Sequence, residues 1–301
     1  MNIFSKEICS SGKRRKISSN TNEVTSNVVL GDLPEDVILI AFRYLSFPAL
    51  CRVKTVCKWW MQHVNKAVDL GLGNKPFLTN EELVKAARDH YNYKWAPGPA
   101  KVFRDHIVEK LATIYGWPIG KWDVSQVTNF SRVFEDQIDF NDYIGDWDVS
   151  QGTTFEGMFH NAYYFDQDLG NWNISKATTL NCMFCGASCF NKDLTKWNTS
   201  NVENMCNMFC RAINFNGDVS NFDTSKVIYM CQMFMYARAF NQNISSWDTS
   251  NVSGMDEMFK DARDFCQNIS SWDVRSVYKR YRYDEVFDGA TSFNREYSPS
   301  F

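Results

Sequence analysis

From residue 120 onward an aromatic side chain returns every 25 positions: Trp122, Trp147, Trp172, Trp197, Phe222, Trp247 and Trp272. Intervals of one repeated length do not arise by chance, and a period in this range is the mark of stacked units. Each marker is followed by Asp or Asn (Asp123, Asp148, Asn173, Asn198, Asp223, Asp248, Asp273). Ser stands three past it at Ser125, Ser150, Ser175, Ser200, Ser225 and Ser250, with Arg275 in the last unit. Apolar residues then fall five, eight, twelve and fifteen past the marker, as in Val202, Met205, Phe209 and Ala212. That spacing predicts one face of a short helix or helical turn, with the Ser as its N-cap.

Phe and Ile, Leu or Val follow at eighteen and twenty-two: Phe140 and Ile144, Phe165 and Leu169, Phe190 and Leu194, Phe215 and Val219, Phe240 and Ile244, Phe265 and Ile269. This stretch reads as a short extended segment. A unit so small cannot bury its apolar face alone, whereas stacking buries it and pairs the segments in parallel, about 4.8 Å apart. Position nineteen carries Asn141, Asn191, Asn216 and Asn241, with Asp166 and Cys266 as variants. A side-chain amide there is placed to bond the backbone of the neighbouring unit. The seventh unit departs from the pattern. Extra residues move its Phe, Ala, Phe and Asn to Phe287, Ala290, Phe293 and Asn294, and Arg275, Arg280 and Arg282 replace smaller or apolar residues. A terminal unit needs a polar outer face, so this one reads as the C-terminal cap.

The chain ahead of the repeats divides into three. Residues 1–29 are rich in Ser, Asn and Thr and read as a disordered tail; its run Lys13-Arg14-Arg15-Lys16 fits either a nuclear-import signal or a solvated basic tail. Residues 30–70 read as three short helices. Asp32, Pro34 and Glu35 form a helix start, and Val37, Ile40, Ala41 and Tyr44 keep helical spacing. Ser46-Phe47-Pro48 interrupts the pattern, and Leu50, Val53, Val56, Cys57, Trp60 and Val64 resume it. So small a domain buries too little surface to be stable alone, which suits a docking module completed by a partner. Residues 71–119 read as a helical linker and N-terminal cap. One helix follows the capping box Thr79-Asn80-Glu81-Glu82; a second runs from about Ala100 and ends at Gly116.

Leu33-Pro34-Glu35-Asp36-Val37, Tyr44-Leu45, Leu50 and Val56-Cys57-Lys58-Trp59-Trp60 resemble the F-box motif. The resemblance implies a Skp-type adaptor and its cullin–RING ubiquitin ligase as partners, with Leu33, Pro34, Ile40, Leu45, Leu50, Val53 and Trp60 among the positions that contact the adaptor or define the fold. Residues 120–301, in wording such as Trp247-Asp248-Thr249-Ser250-Asn251-Val252, resemble the BspA-like leucine-rich repeats of bacterial surface proteins and of F-box proteins from large DNA viruses of protists. The implied fold class is α+β: a three-helix F-box and helical linker, then a leucine-rich-repeat-type solenoid of seven 25-residue coils with short parallel strands and short helices. The implied function is substrate recognition for a Skp–cullin–F-box ligase. The alternative is a scaffold or decoy that sequesters the host adaptor without ubiquitin transfer.

Charge and chemistry narrow the classes further. Residues 1–119 hold 17 Lys and Arg against 11 Asp and Glu, while residues 120–301 hold 15 against 24. The acidic half repels phosphate backbones, so no nucleic-acid partner is expected. No run approaches the roughly 20 apolar residues of a membrane span, and no signal peptide is read, which gives a cytoplasmic expectation with the nucleus as the alternative. No phosphate loop and no nucleophile–base arrangement stands out, so neither enzyme activity nor a cofactor is expected. Cys182, Cys185, Cys189, Cys206, Cys210 and Cys231 share or neighbour repeat positions, and stacking gathers several of them. Four thiolates suffice for zinc, but small polarizable residues also suit a tight wall; the sequence favours packing. An unidentified target protein is expected to bind where the units differ. One candidate surface is Ile213, Ile228, Tyr229, Met235 and Tyr236, with Tyr163 and Tyr164 as a smaller set; the other is the acidic row Asp168, Asp193 and Asp218.

Overall fold

A computed structural model describes residues 75–95, 111, 114–116, 118–277 and 283–300. The tail, the 30–70 segment with the seven residues expected to contact an adaptor or define the fold, and most of the expected second linker helix lie outside these residues.

Helix α1 spans Asn80–Trp95. Thr79 starts it: its Oγ1 accepts the Glu82 amide at 3.2 Å. Glu82 in turn accepts the Lys75 ammonium at 2.5 Å and the Tyr115 hydroxyl at 2.8 Å. The Lys75 bond holds the Glu82 carboxyl below its ordinary range, while burial, then the Glu82 bond, pushes the Tyr115 phenol up to about 12. Leu83, Ala86, Ala87 and His90 form the buried side of α1, together with Phe77. Phe77 stacks on Tyr115 at 4.1 Å and leans on Trp122 at 5.2 Å, so the helix closes over the first aromatic marker. Gly116, at φ 88°, has the left-handed backbone expected where the second helix stops, and its carbonyl accepts the Trp122 indole N–H at 3.1 Å.

Beyond a 3-10 turn at Ile119–Lys121 the repeats begin. Among the described residues, the first six units contain neither a short helix nor a named strand; turns and isolated parallel bridges take their place. The bridges link position seven of neighbouring units: Asn129 to Thr154, Thr154 to Thr179, Thr179 to Asn204, Asn204 to Tyr229 and Tyr229 to Gly254. They therefore run through the stretch whose spacing predicts a helix, not beside the Phe and Ile positions. The hydrogen bonds give the reason. The amides of Phe130, Arg132, Phe134 and Asp136 donate to the carbonyls of Thr154, Glu156, Met158 and His160 in the next unit, and the same four-bond pattern recurs down the repeats at 2.7–3.2 Å. Intervening amides bond three residues back, as Glu135 to Arg132 and Gln137 to Phe134. A helix would send every amide back along its own unit, whereas here every second one leaves for the neighbour.

The backbone meets that demand by alternating hand. Positions ten and fourteen have positive φ in six successive units: Arg132 and Asp136, Gly157 and Asn161, Cys182 and Gly186, Asn207 and Arg211, Gln232 and Tyr236, Glu257 and Asp261. For a residue with a Cβ this costs about 1–2 kcal/mol each. Four cross-unit bonds per interface offset it.

Ring columns fill the space behind this wall. Trp122 and Trp147 stack at 6.4 Å, Trp197 and Phe222 at 6.5 Å, and Phe222 and Trp247 at 6.1 Å. Phe134, Phe159, Phe184, Phe209, Phe234 and Phe259 form a second column with neighbours 5.4–5.7 Å apart. Phe140 to Phe265 form a third. These separations exceed the strand spacing because flat rings avoid a face-to-face sandwich and settle offset. All three columns are buried.

Side chains pin the remaining stretches. The Ser three past the marker is not an N-cap: its amide donates to the Asp or Asn ahead of it, as Ser125 to Asp123 Oδ1 at 3.1 Å, an Asx turn. At position nineteen Asn141 Oδ1 accepts the amide of Asp166, Asp166 that of Asn191, Asn191 that of Asn216, and Asn216 that of Asn241, all at 2.8–3.0 Å.

Both ends are closed. Asn80 Nδ2 donates to the carbonyls of Asn129 and Ser131 at 3.0 and 2.9 Å, acceptors that a preceding unit would otherwise fill. At the other end the ladder survives the extra residues: Phe259 and Asp261 donate to Val286 and Asp288. Phe287 and Phe293 extend the columns behind helix α2, Tyr283–Val286.

Candidate functional site

Position fourteen of each unit projects from the bonded wall, and position sixteen flanks it. Together they make a ridge of Asp136, Asn161, Arg211, Tyr236 and Asp261 beside Ile138, Tyr163, Ile213, Arg238 and Arg263. The third unit breaks the ridge, because it supplies Gly186 and Ser188. Gly186 has φ 76°, and a Cβ there would meet Asn161 Oδ1 at 2.5 Å. The resulting cleft, about 360 Å³, is lined by Asn161, Gly186, Ser188, Arg211, Ile213, Tyr236 and Arg238. The Arg211 guanidinium lies over the Tyr236 ring, 5.7 Å from its centre, and Ser188 Oγ donates to the Arg211 carbonyl at 3.2 Å.

Two of the sequence candidates, Ile213 and Tyr236, meet in this cleft. Met235 is half-buried beside it, and its carbonyl accepts the Arg211 amide at 2.7 Å. Ile228 and Tyr229 sit at positions six and seven and do not line it; Tyr229 is 43% exposed. Tyr163 and Tyr164 are exposed, their rings edge to face at 4.8 Å. The acidic row is engaged with backbone: Asp168 and Asp218 close turns on the Gly170 and Ser220 amides, and Asp193 accepts the Asp218 amide of the next unit, at 2.8–2.9 Å.

Sequence reasoning missed Arg211, Arg238, Asn161, Gly186 and Ser188. A register of positions fourteen and sixteen carries the signal, since only there do two arginines and two small residues become neighbours.

The thiols do gather. Cys185 hydrogen-bonds to Cys210 and to Cys182, and Cys206 to Cys231, each pair with free thiols. Cys182 and Cys206 are pushed up by donating these bonds, and Cys231 is pulled down by accepting one. Among the described residues no group of three or more His, Cys, Asp or Glu is arranged to hold a metal ion. Among the same residues no helix is long and apolar enough to cross a membrane.

Comparison with known families follows the same division of the chain. Two overlapping matches, residues 105–209 and 190–300, fall to the family described as Mycoplasma protein of unknown function, DUF285. The chain belongs to this family. The DUF285 matches span the whole repeat region and are compatible with the BspA-like pattern. Residues 30–70 match the F-box-like family, a domain of protein–protein interaction, so the DUF285 repeats here follow an F-box-like segment. No curated protein matches the chain.

Proposed function

We propose that this chain is the substrate-recognition adaptor of a Skp–cullin–F-box ubiquitin ligase, its repeats forming a leucine-rich-repeat-type solenoid. Residues 30–70 dock a Skp-type adaptor through Leu33, Pro34, Ile40, Leu45, Leu50, Val53 and Trp60. The repeats hold a target protein, and the ligase's other subunits transfer ubiquitin. The chain itself performs no bond chemistry; it contributes proximity. The observation that carries this reading is the F-box-like match at residues 30–70, joined in one chain to a repeat region with a varied outer ridge.

The test is a pull-down of a purified Skp-type adaptor by the full chain and by its Leu33→Ala/Pro34→Ala variant. Capture by the wild type and loss in the variant support the reading; equal capture refutes it. Target-dependent ubiquitination in a reconstituted ligase then separates a delivering adaptor from a decoy, which would bind the adaptor and transfer nothing.

A further inference from the structure

The cleft places cations on a domain whose charge is of the other sign. Residues 120–301 hold 24 acidic residues against 15 basic ones, yet Arg211 and Arg238 flank a single depression and Arg263 follows one unit on. Among the described residues none of the three arginines has an ion-pair partner. Two acids of neighbouring units are engaged elsewhere. Asp136 takes the Asn161 side-chain amide at 2.8 Å, and Glu257 takes Gln232 and Lys260. A guanidinium left unpaired amid carboxylates keeps its full set of planar donors for a ligand. Arg211 is held in place by the Tyr236 ring beneath it and by a backbone whose amide and carbonyl are both bonded. Between the two arginines lie one apolar side chain, Ile213, and the floor left by Gly186 and Ser188.

We propose that this cleft binds an acidic peptide segment of the target protein, its carboxylates taken by Arg211 and Arg238 and a small apolar side chain resting against Ile213 and Tyr236. Charge complementarity selects this occupant: a basic or neutral segment would leave both guanidiniums desolvated and unpaired, whereas an acidic one forms charge-assisted bonds to each. The surrounding acidic surface repels acidic chains generally, which confines their landing to this depression. The adaptor reading enters only in calling the peptide's owner a target for ubiquitin; binding itself is independent of it.

The experiment is selection of random dodecapeptides displayed on phage against the immobilised full chain, and in parallel against an Arg211→Asn/Arg238→Gln variant. Asn is chosen because it accepts the left-handed backbone of residue 211. Thermal melts establish that the variant folds, and Arg132→Asn/Lys176→Gln, which removes the same two charges outside the cleft, serves as the control. Expected are peptides rich in Asp and Glu whose affinity falls about tenfold or more in the double variant, weakens with salt, and is unchanged in the control. Selected peptides without acidic residues, equal affinity for the double variant, or no enrichment at all would overturn the proposal. Adaptor pull-down through residues 30–70 is read separately, so failure of one reading is not mistaken for failure of the other.

Discussion

Trp247 donates its indole N–H to the carbonyl of Val219, 28 residues earlier, at 3.2 Å. Trp147, Trp172, Trp197 and Trp272 make the same bond to Ile119, Ile144, Leu169 and Ile244. The marker column is thus a polar tie as well as a ring stack, and each buried indole N–H has its acceptor.

Phe222 interrupts this series, stacked between Trp197 and Trp247 but with no N–H to offer. Phe222→Trp is expected to restore the bond, to the Leu194 carbonyl, and to raise stability by about 0.5–1.5 kcal/mol. Denaturant midpoints of the two proteins check it; a lowered midpoint would mean that the wider ring does not fit this unit.

Gly186 is required twice over, by its φ of 76° and by the Asn161 oxygen facing it. Gly186→Ala is expected to cost about 1–3 kcal/mol. Pairing it with Asn161→Gly should recover the steric part and leave the conformational part. A double variant no more stable than the single one in thermal melts would contradict the clash.

Position nineteen discriminates by acceptor, not by charge. Asp166 does there what Asn191 and Asn216 do. Asn216→Asp should therefore be nearly neutral, whereas Asn216→Ala strips the Asn241 amide of its partner and should cost about 0.5–1.5 kcal/mol. Equal losses in urea unfolding would remove the distinction.

Cys231 accepts a hydrogen bond from the Cys206 thiol, which lowers its pKa below the ordinary thiol range, while Cys206 is raised. A lowered thiol pKa means that thiolate is present at a pH where an ordinary cysteine is still protonated. Iodoacetamide labelling mapped by mass spectrometry from pH 5 to 9 should therefore show Cys231 reacting at lower pH than Cys206. Cys206→Ala should move the Cys231 profile upward. Coincident profiles in the wild type would argue against the pairing.

The period, the marker column and the inward residues were legible in the sequence because burial repeats with the units: Phe134, Phe140 and Trp147 differ from their neighbours in kind. The role of Asn at nineteen was legible for the same reason. The local backbone was not. Val202, Met205, Phe209 and Ala212 mimic a helical face, and nothing in the identities of Arg132, Cys182, Gln232 or Glu257 announces positive φ. Their conformation is imposed by bonds to the next unit, a tertiary cause that local propensity does not contain. The cleft was half legible. Its apolar members stand out as unusual at polar positions, but Arg211 and Arg238 are ordinary surface residues until adjacent units are laid side by side.

Asn80 has a consequence for assembly. Its amide imitates an absent neighbour, occupying the Asn129 and Ser131 oxygens that would otherwise face outward as an open edge. Such an edge is a template for another copy, and a head-to-tail contact that does not close on itself grows into a fibre. One side chain on the capping helix thus blunts the edge at which such growth would start.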